Sequence, residues 1–147
     1  MENIAELLAG RWVIKGTTFP MWLSKKRLAP MIAYEYLSDT PLTFLDIVSY
    51  KNRQGKTKTI VGIDTWREEA FVWRGKGLLR ILKSNWSILA LTKTILVIRF
   101  EPTLFTPAGI DVLVRQDAPI DHPEQLIKDS PKKYALKSSE VEGLVWL

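Results

Sequence analysis

The side chains able to do chemistry are few and dispersed. The 147-residue chain has one histidine, His122, and no cysteine. Without cysteine there is no thiolate nucleophile, no disulfide framework and no sulfur metal site. His122 lies in Asp121-His122-Pro123-Glu124, whose capping pattern marks a helix start, so no Ser/His/Asp arrangement forms around it. Asp46 and Asp64, on neighbouring β-prone runs, are the only pair suited to acid–base work. No histidine or acidic cluster has metal-ligand spacing, and Trp73-Arg74-Gly75-Lys76-Gly77 lacks the spacing of a phosphate loop. The expectation is a protein that is not an enzyme and needs neither cofactor nor metal. The catalytic alternative is a small isomerase or lyase using Tyr34, Tyr36 and an arginine.

The formal charge is +5, and its distribution is uneven. The excess of Lys and Arg falls within the first 83 residues. A localised basic surface points to an anionic ligand or membrane, or to nucleic acid. Nucleic acid ranks lowest, because no recognition motif accompanies the charge. Met1-Glu2-Asn3-Ile4-Ala5-Glu6 lacks the cationic start and apolar run of a secretory signal. No apolar stretch reaches the roughly 18–20 residues of a membrane-spanning helix. Cytoplasmic residence is therefore expected, and the length suits one domain over 1–147.

The elements that must position these residues are mostly strands. Asn3 with Glu6 reads as a capping box opening a short helix over 3–9, ended by Gly10. Eight β-prone runs follow: Arg11–Thr18, Met31–Leu37, Leu42–Tyr50, Thr57–Trp66, Ala70–Arg74, Asn85–Leu91, Ile95–Phe100 and Gly109–Arg115. No crossover helix separates them, so antiparallel hairpins are favoured. The connections alternate between long and short, which places the long loops together at one end. Closing such a meander into a barrel removes its exposed edges. Beyond the barrel come a helix from Asp121, a break at Pro131 behind Ser130, and a possible last edge strand in Gly143–Leu147.

In these features the chain resembles the lipocalin family of calycin barrels, as an outlying member. Gly10-Arg11-Trp12 matches the family's Gly-x-Trp motif on the first strand, after a short helix. Arg115, at the end of Val112-Leu113-Val114-Arg115, matches the arginine that packs across that tryptophan at the closed end. One motif departs: the family's Thr-Asp-Tyr turn between strands six and seven is replaced by Thr92-Lys93-Thr94. The resemblance implies an all-β, eight-stranded up-and-down barrel whose closed end is stoppered by Gly10, Trp12 and Arg115.

Faces are assigned by treating Glu35, Asp46, Asp64, Arg74, Ser87 and Arg99 as outward markers. This makes Tyr34, Tyr36, Ile47, Val61, Phe71, Trp73, Trp86 and Ile98 the expected lining of a ligand pocket. Arg99 is added as an alternative inward cation for a carboxylate. Lys25, Lys26, Arg27, Lys76 and Arg80 fall on the long loops and form an expected basic rim. The leading expectation is a non-catalytic binding protein for an apolar or amphipathic, fatty-acid-like anion. The alternative is a filled barrel that touches protein or an anionic membrane surface through its open-end loops. Oligomeric state is open.

Overall fold

Alternating apolar and polar residues let one face of each strand pack inward while the other meets water. A computed structural model describes residues 3–79, 81–104 and 107–147. Helix α1 (Ile4–Leu8) is capped by Asn3, whose side chain accepts from the Ala5 N–H. It leads into strand β1 (Gly10–Thr17), so Gly10 opens the strand and the helix cap is Ala9. The next strands are β2 (Leu28–Asp39), β3 (Leu42–Lys51), β4 (Thr57–Arg67) and β5 (Ala70–Gly75). They are followed by β6 (Lys83–Leu91), β7 (Ile95–Phe100) and β8 (Gly109–Arg115).

All consecutive pairs from β2 to β8 are antiparallel, and β1 closes the ring by pairing with both β8 and β2. The result is a closed eight-stranded up-and-down barrel. A register shift between Ile14 and Gly16 against β8 turns Thr17 to the same inner face as its partner Asp111. A short strand β9 (Val145–Trp146) takes the edge of β1 at Gly16 and Thr17, beyond the stretch paired with β2.

Two apolar clusters form. The first fills the barrel and includes Trp12, Ile14, Tyr34, Phe44, Phe71, Trp86, Ile98 and Leu113. The second lies outside β7 and β8, beneath helix α3 (Pro123–Asp129), a 3-10 turn (Pro131–Tyr134) and helix α4 (Ser138–Gly143). Ile127, Tyr134, Leu136 and Val141 cover Ile95, Val97, Ile110 and Val112 there. Strands β7 and β8 are thus buried on both faces over most of their length, which accounts for the apolar runs 95–98 and 112–114.

Two short elements lie outside the sequence reading: α4, and helix α2 (Pro20–Leu23) inside the first long connection. The cap of α3 is His122 and not Asp121, and its side chain makes no cap hydrogen bond. Likewise Ser130 precedes the 3-10 turn without a side-chain cap. Proline at the first helical position accounts for both starts by pre-setting φ.

Candidate ligand-binding site

The closed end is built by three residues brought together from both ends of the chain. The Arg115 guanidinium carbon lies 3.9 Å from the Trp12 ring centroid. Its nitrogens donate to the carbonyls of Ala9 (2.6 Å) and Leu7, so one side chain ties α1 to β8. Gly10 has φ +123°, and a Cβ there would lie 2.4 Å from an Arg115 nitrogen. Only glycine meets both demands. Trp12 is fully buried and donates its indole N–H to the Leu8 carbonyl at 2.9 Å.

Above this floor the interior is aromatic. Phe71 stacks on Trp86 at 4.6 Å, and Tyr34 tilts over Trp86 at 5.7 Å. Phe44 meets Phe71 and Tyr34 edge-on, and Trp66 meets Phe71 the same way. Tyr34, Phe44, Phe71 and Trp86 are all buried, so these rings fill the middle of the barrel.

Among these rings sit acids. Asp46, Asp64 and Asp111 are the buried charged side chains among the described residues. Asp64 accepts from the Trp86 indole N–H at 2.9 Å, and Asp111 accepts from the Thr17 hydroxyl at 2.6 Å. Asp46 Oδ1 and Asp64 Oδ2 are buried without a hydrogen-bond partner. Burial pushes the Asp111 carboxyl up to about 7, against the opposing Thr17 hydrogen bond. Burial also raises Asp46 and Asp64, which face each other closely enough to share a proton. The Tyr34 phenol is raised by burial and then by the charges of Asp46, its register partner, Asp64 and Asp111.

The mouth is closed by the first connection. Phe19 and Trp22, at either end of the first turn of α2, are buried. Phe19 packs edge-on against Phe100 at 5.3 Å, and Trp22 against Tyr50 at 6.1 Å. The Phe19 N–H is held by the Thr17 hydroxyl at 2.9 Å. Lys25 (φ +62°), just after α2, and Ala29 (φ +49°), at the start of β2, adopt left-handed backbone, a conformation disfavoured for side chains bearing a Cβ.

The expected pocket residues divide. Tyr34, Phe71, Trp86 and Ile98 lie inside, and Trp73 lines the wall half-buried over Gly62. Tyr36 is 45% exposed and points toward Asp39, near the turn into β3. Ile47 and Val61 are on the outer face, because Asp46 and Asp64 take the inner one. Arg99 is also outside, paired with Glu140 of α4 at 2.5 Å. Of the expected rim, Lys25, Lys26 and Lys76 are exposed, and Arg27 lies over the Tyr50 ring at 5.5 Å. Arg80 lies outside the described residues.

Treating Asp46 and Asp64 as outward markers inverted strands β3 and β4. The aromatic parity held the better signal: Phe44 and Tyr50 alternate with Asp46, and Trp66 with Asp64. Asp111 and Thr17 were not foreseen, since the bulge that pairs them leaves no mark in the sequence pattern.

No family model matches the chain, and no curated protein sequence matches it. Solved structures do. Lobster apocrustacyanin A1 superposes with a TM-score of 0.66 at 13% identity, over 96% of this chain and 77% of the other. The amine-binding protein of Rhodnius prolixus, solved as its tryptamine complex, gives 0.64 at 13%, over 99% and 80%. The bovine lipocalin allergen Bos d 2 gives 0.61 at 10%, over 98% and 94%. The chain has the lipocalin fold: a closed eight-stranded barrel with an extra strand and flanking short helices. At these identities the likeness is one of architecture.

Proposed function

We propose that this chain is a non-catalytic binding protein that holds one small, largely apolar molecule in the upper half of its barrel. The observation that carries the reading is the occupant of the mouth. Phe19 and Trp22 reach it on a four-residue helix rather than on a strand. Their withdrawal opens an aromatic-walled cup without breaking any barrel pairing. The amine-binding protein of the same fold, described with tryptamine, supports a small-molecule role. Tyr36 is exposed and Arg99 is paired with Glu140 outside the barrel, so the Tyr34, Tyr36 and arginine set of the catalytic alternative does not assemble around Arg99, which favours binding.

The fatty-acid-like anion expected from the basic rim retains support only at the mouth. A carboxylate drawn deeper would meet Asp46 and Asp64. Titration of the protein with retinol, a neutral polyene, tests the binding reading through quenching of tryptophan emission. Saturation near one ligand per chain is expected. Absence of quenching by retinol, together with no calorimetric binding of smaller aromatics such as tryptophol, tryptamine and indole-3-propionate, at about 100 μM, a weak-binding limit near −5.5 kcal/mol, overturns the proposal.

A second reading is favoured by a separate observation. Ile81 and Leu104 are 85% and 96% exposed in open-end loops that also carry Lys25, Lys26 and Lys76. That pairing suits contact with an anionic membrane surface, in a barrel kept full. Sedimentation with phosphatidylserine vesicles, lost at high salt, is its expected signature.

A further inference from the structure

We infer that the Asp46–Asp64 pair is the recognition site for a cationic ligand, a compact aromatic or aliphatic molecule carrying a protonated amine. This rests on the binding reading above and names the chemistry of its ligand.

Two carboxylates facing one another in a protein interior are costly unless a proton or a cation lies between them. Trp86 serves one oxygen of Asp64, and Thr17 serves Asp111. Asp46 Oδ1 and Asp64 Oδ2 remain buried with no donor from any other described residue. No described Lys or Arg is buried beside them; Arg99 is spent on Glu140 and Arg115 on the barrel floor. The groups that face the pair are Tyr34 of β2, the register partner of Asp46, and Trp86 of β6. Both are aromatic. An ammonium group brings donors to the orphaned oxygens, and the rings of Tyr34 and Trp86 add their electron-rich faces.

The site is also within reach of the mouth. Asp46, Val48 and Tyr50 alternate on the inner face of β3, and Tyr50 carries Trp22 of α2. Four residues of strand put Asp46 roughly 13 Å below that plug. An aromatic amine that enters past Trp22 and Phe19 must therefore sink below their places, beside Val48, to set its charge on the acids. The exposed rim cations repel it, but they are screened over ~8 Å at physiological salt, whereas the buried pair is not. Binding replaces the shared proton by the ammonium, so protons leave as the ligand enters.

Calorimetry with three indoles of one shape and different charge tests this: tryptamine, tryptophol and indole-3-propionate. Tryptamine should bind on the order of tenfold to a hundredfold more tightly than tryptophol, with indole-3-propionate weakest. Its affinity should rise between pH 5 and 8, with heats that depend on the buffer in the sense of proton release. Asp46→Asn, close to isosteric, should bring tryptamine to the level of tryptophol and leave tryptophol unchanged. Glu35→Gln, on the outer face, should change nothing. Equal binding of tryptamine and tryptophol, or an unaltered preference in Asp46→Asn, overturns the inference while the binding reading stands. If retinol and all three indoles fail to bind, both fall.

Discussion

Arg115 and Trp12 face one another across the first and last strands of the barrel, register partners whose guanidinium lies over the indole, 3.9 Å from carbon to ring centroid. The arginine also holds two carbonyls at the end of α1. Arg115→Lys keeps the charge and loses the planar fork, with an expected cost of about 1–2 kcal/mol. Trp12→Ala empties the floor, with an expected cost of about 3–5 kcal/mol. Urea denaturation of both variants and the double mutant should return a coupling of about 1 kcal/mol. Additive effects would show that the stacking contributes nothing.

Trp86 holds Asp64 through its indole N–H. Trp86→Phe preserves the ring that stacks on Phe71 and removes the donor, leaving Asp64 with a second unserved oxygen. A loss of about 1–3 kcal/mol is expected at neutral pH. The loss should shrink as pH falls, because burial raises the Asp64 carboxyl and protonation removes its need for a charge partner. A loss independent of pH assigns the effect to packing.

Burial raises the carboxyls of Asp46, Asp64 and Asp111, the last to about 7. An acid whose folded value exceeds its unfolded value of about 3.9 binds more protons when folded. Its stabilisation is complete below that unfolded value and disappears as pH rises through the folded one. The ligand-free protein should therefore melt several degrees higher at pH 5 than at pH 8, from an Asp111 contribution on the order of 3 kcal/mol. Asp111→Asn, which retains an acceptor for Thr17, should flatten much of that slope. A melting temperature that climbs with pH contradicts the burial of these acids.

The β4–β5 hairpin turns on Glu68 and Glu69, both at positive φ (+57° and +112°). Asn-Gly suits such a pair, because neither residue is penalised there as a glutamate is. The double change Glu68→Asn, Glu69→Gly should raise stability by about 1–2 kcal/mol in thermal or urea denaturation. Unchanged or lower stability would mean that the turn is not held in this conformation in solution.

Much of the architecture was legible because it follows from local signals. The eight apolar runs, the alternating connections and the Gly10-Arg11-Trp12 motif all sit within a few residues of chain. The strand boundaries observed differ mainly at β2, which begins at Leu28. The site was less legible. Tyr34, Phe71, Trp86 and Ile98 fall inward as the sequence predicts, because their outward markers Glu35, Arg74, Ser87 and Arg99 do lie on the outer face. Ile47 and Val61 were assigned wrongly because Asp46 and Asp64 are charges that face in. A charged side chain marks the outer face only when no buried partner or proton neutralises it, and that partner comes from another strand.

The order of residues alone determined that these strands alternate in character, turn back at short polar links and start behind a capped helix, since each depends on neighbours within one turn or one hairpin. Only the closed barrel decided which parity of β3 and β4 lies inside. It decided too that Thr17 meets Asp111, that α2 seals the mouth, and that Asp46 lies opposite Tyr34 inside the barrel. Those relations join residues as far apart as Thr17 and Asp111, and the energy of burying a charge depends on everything packed around it.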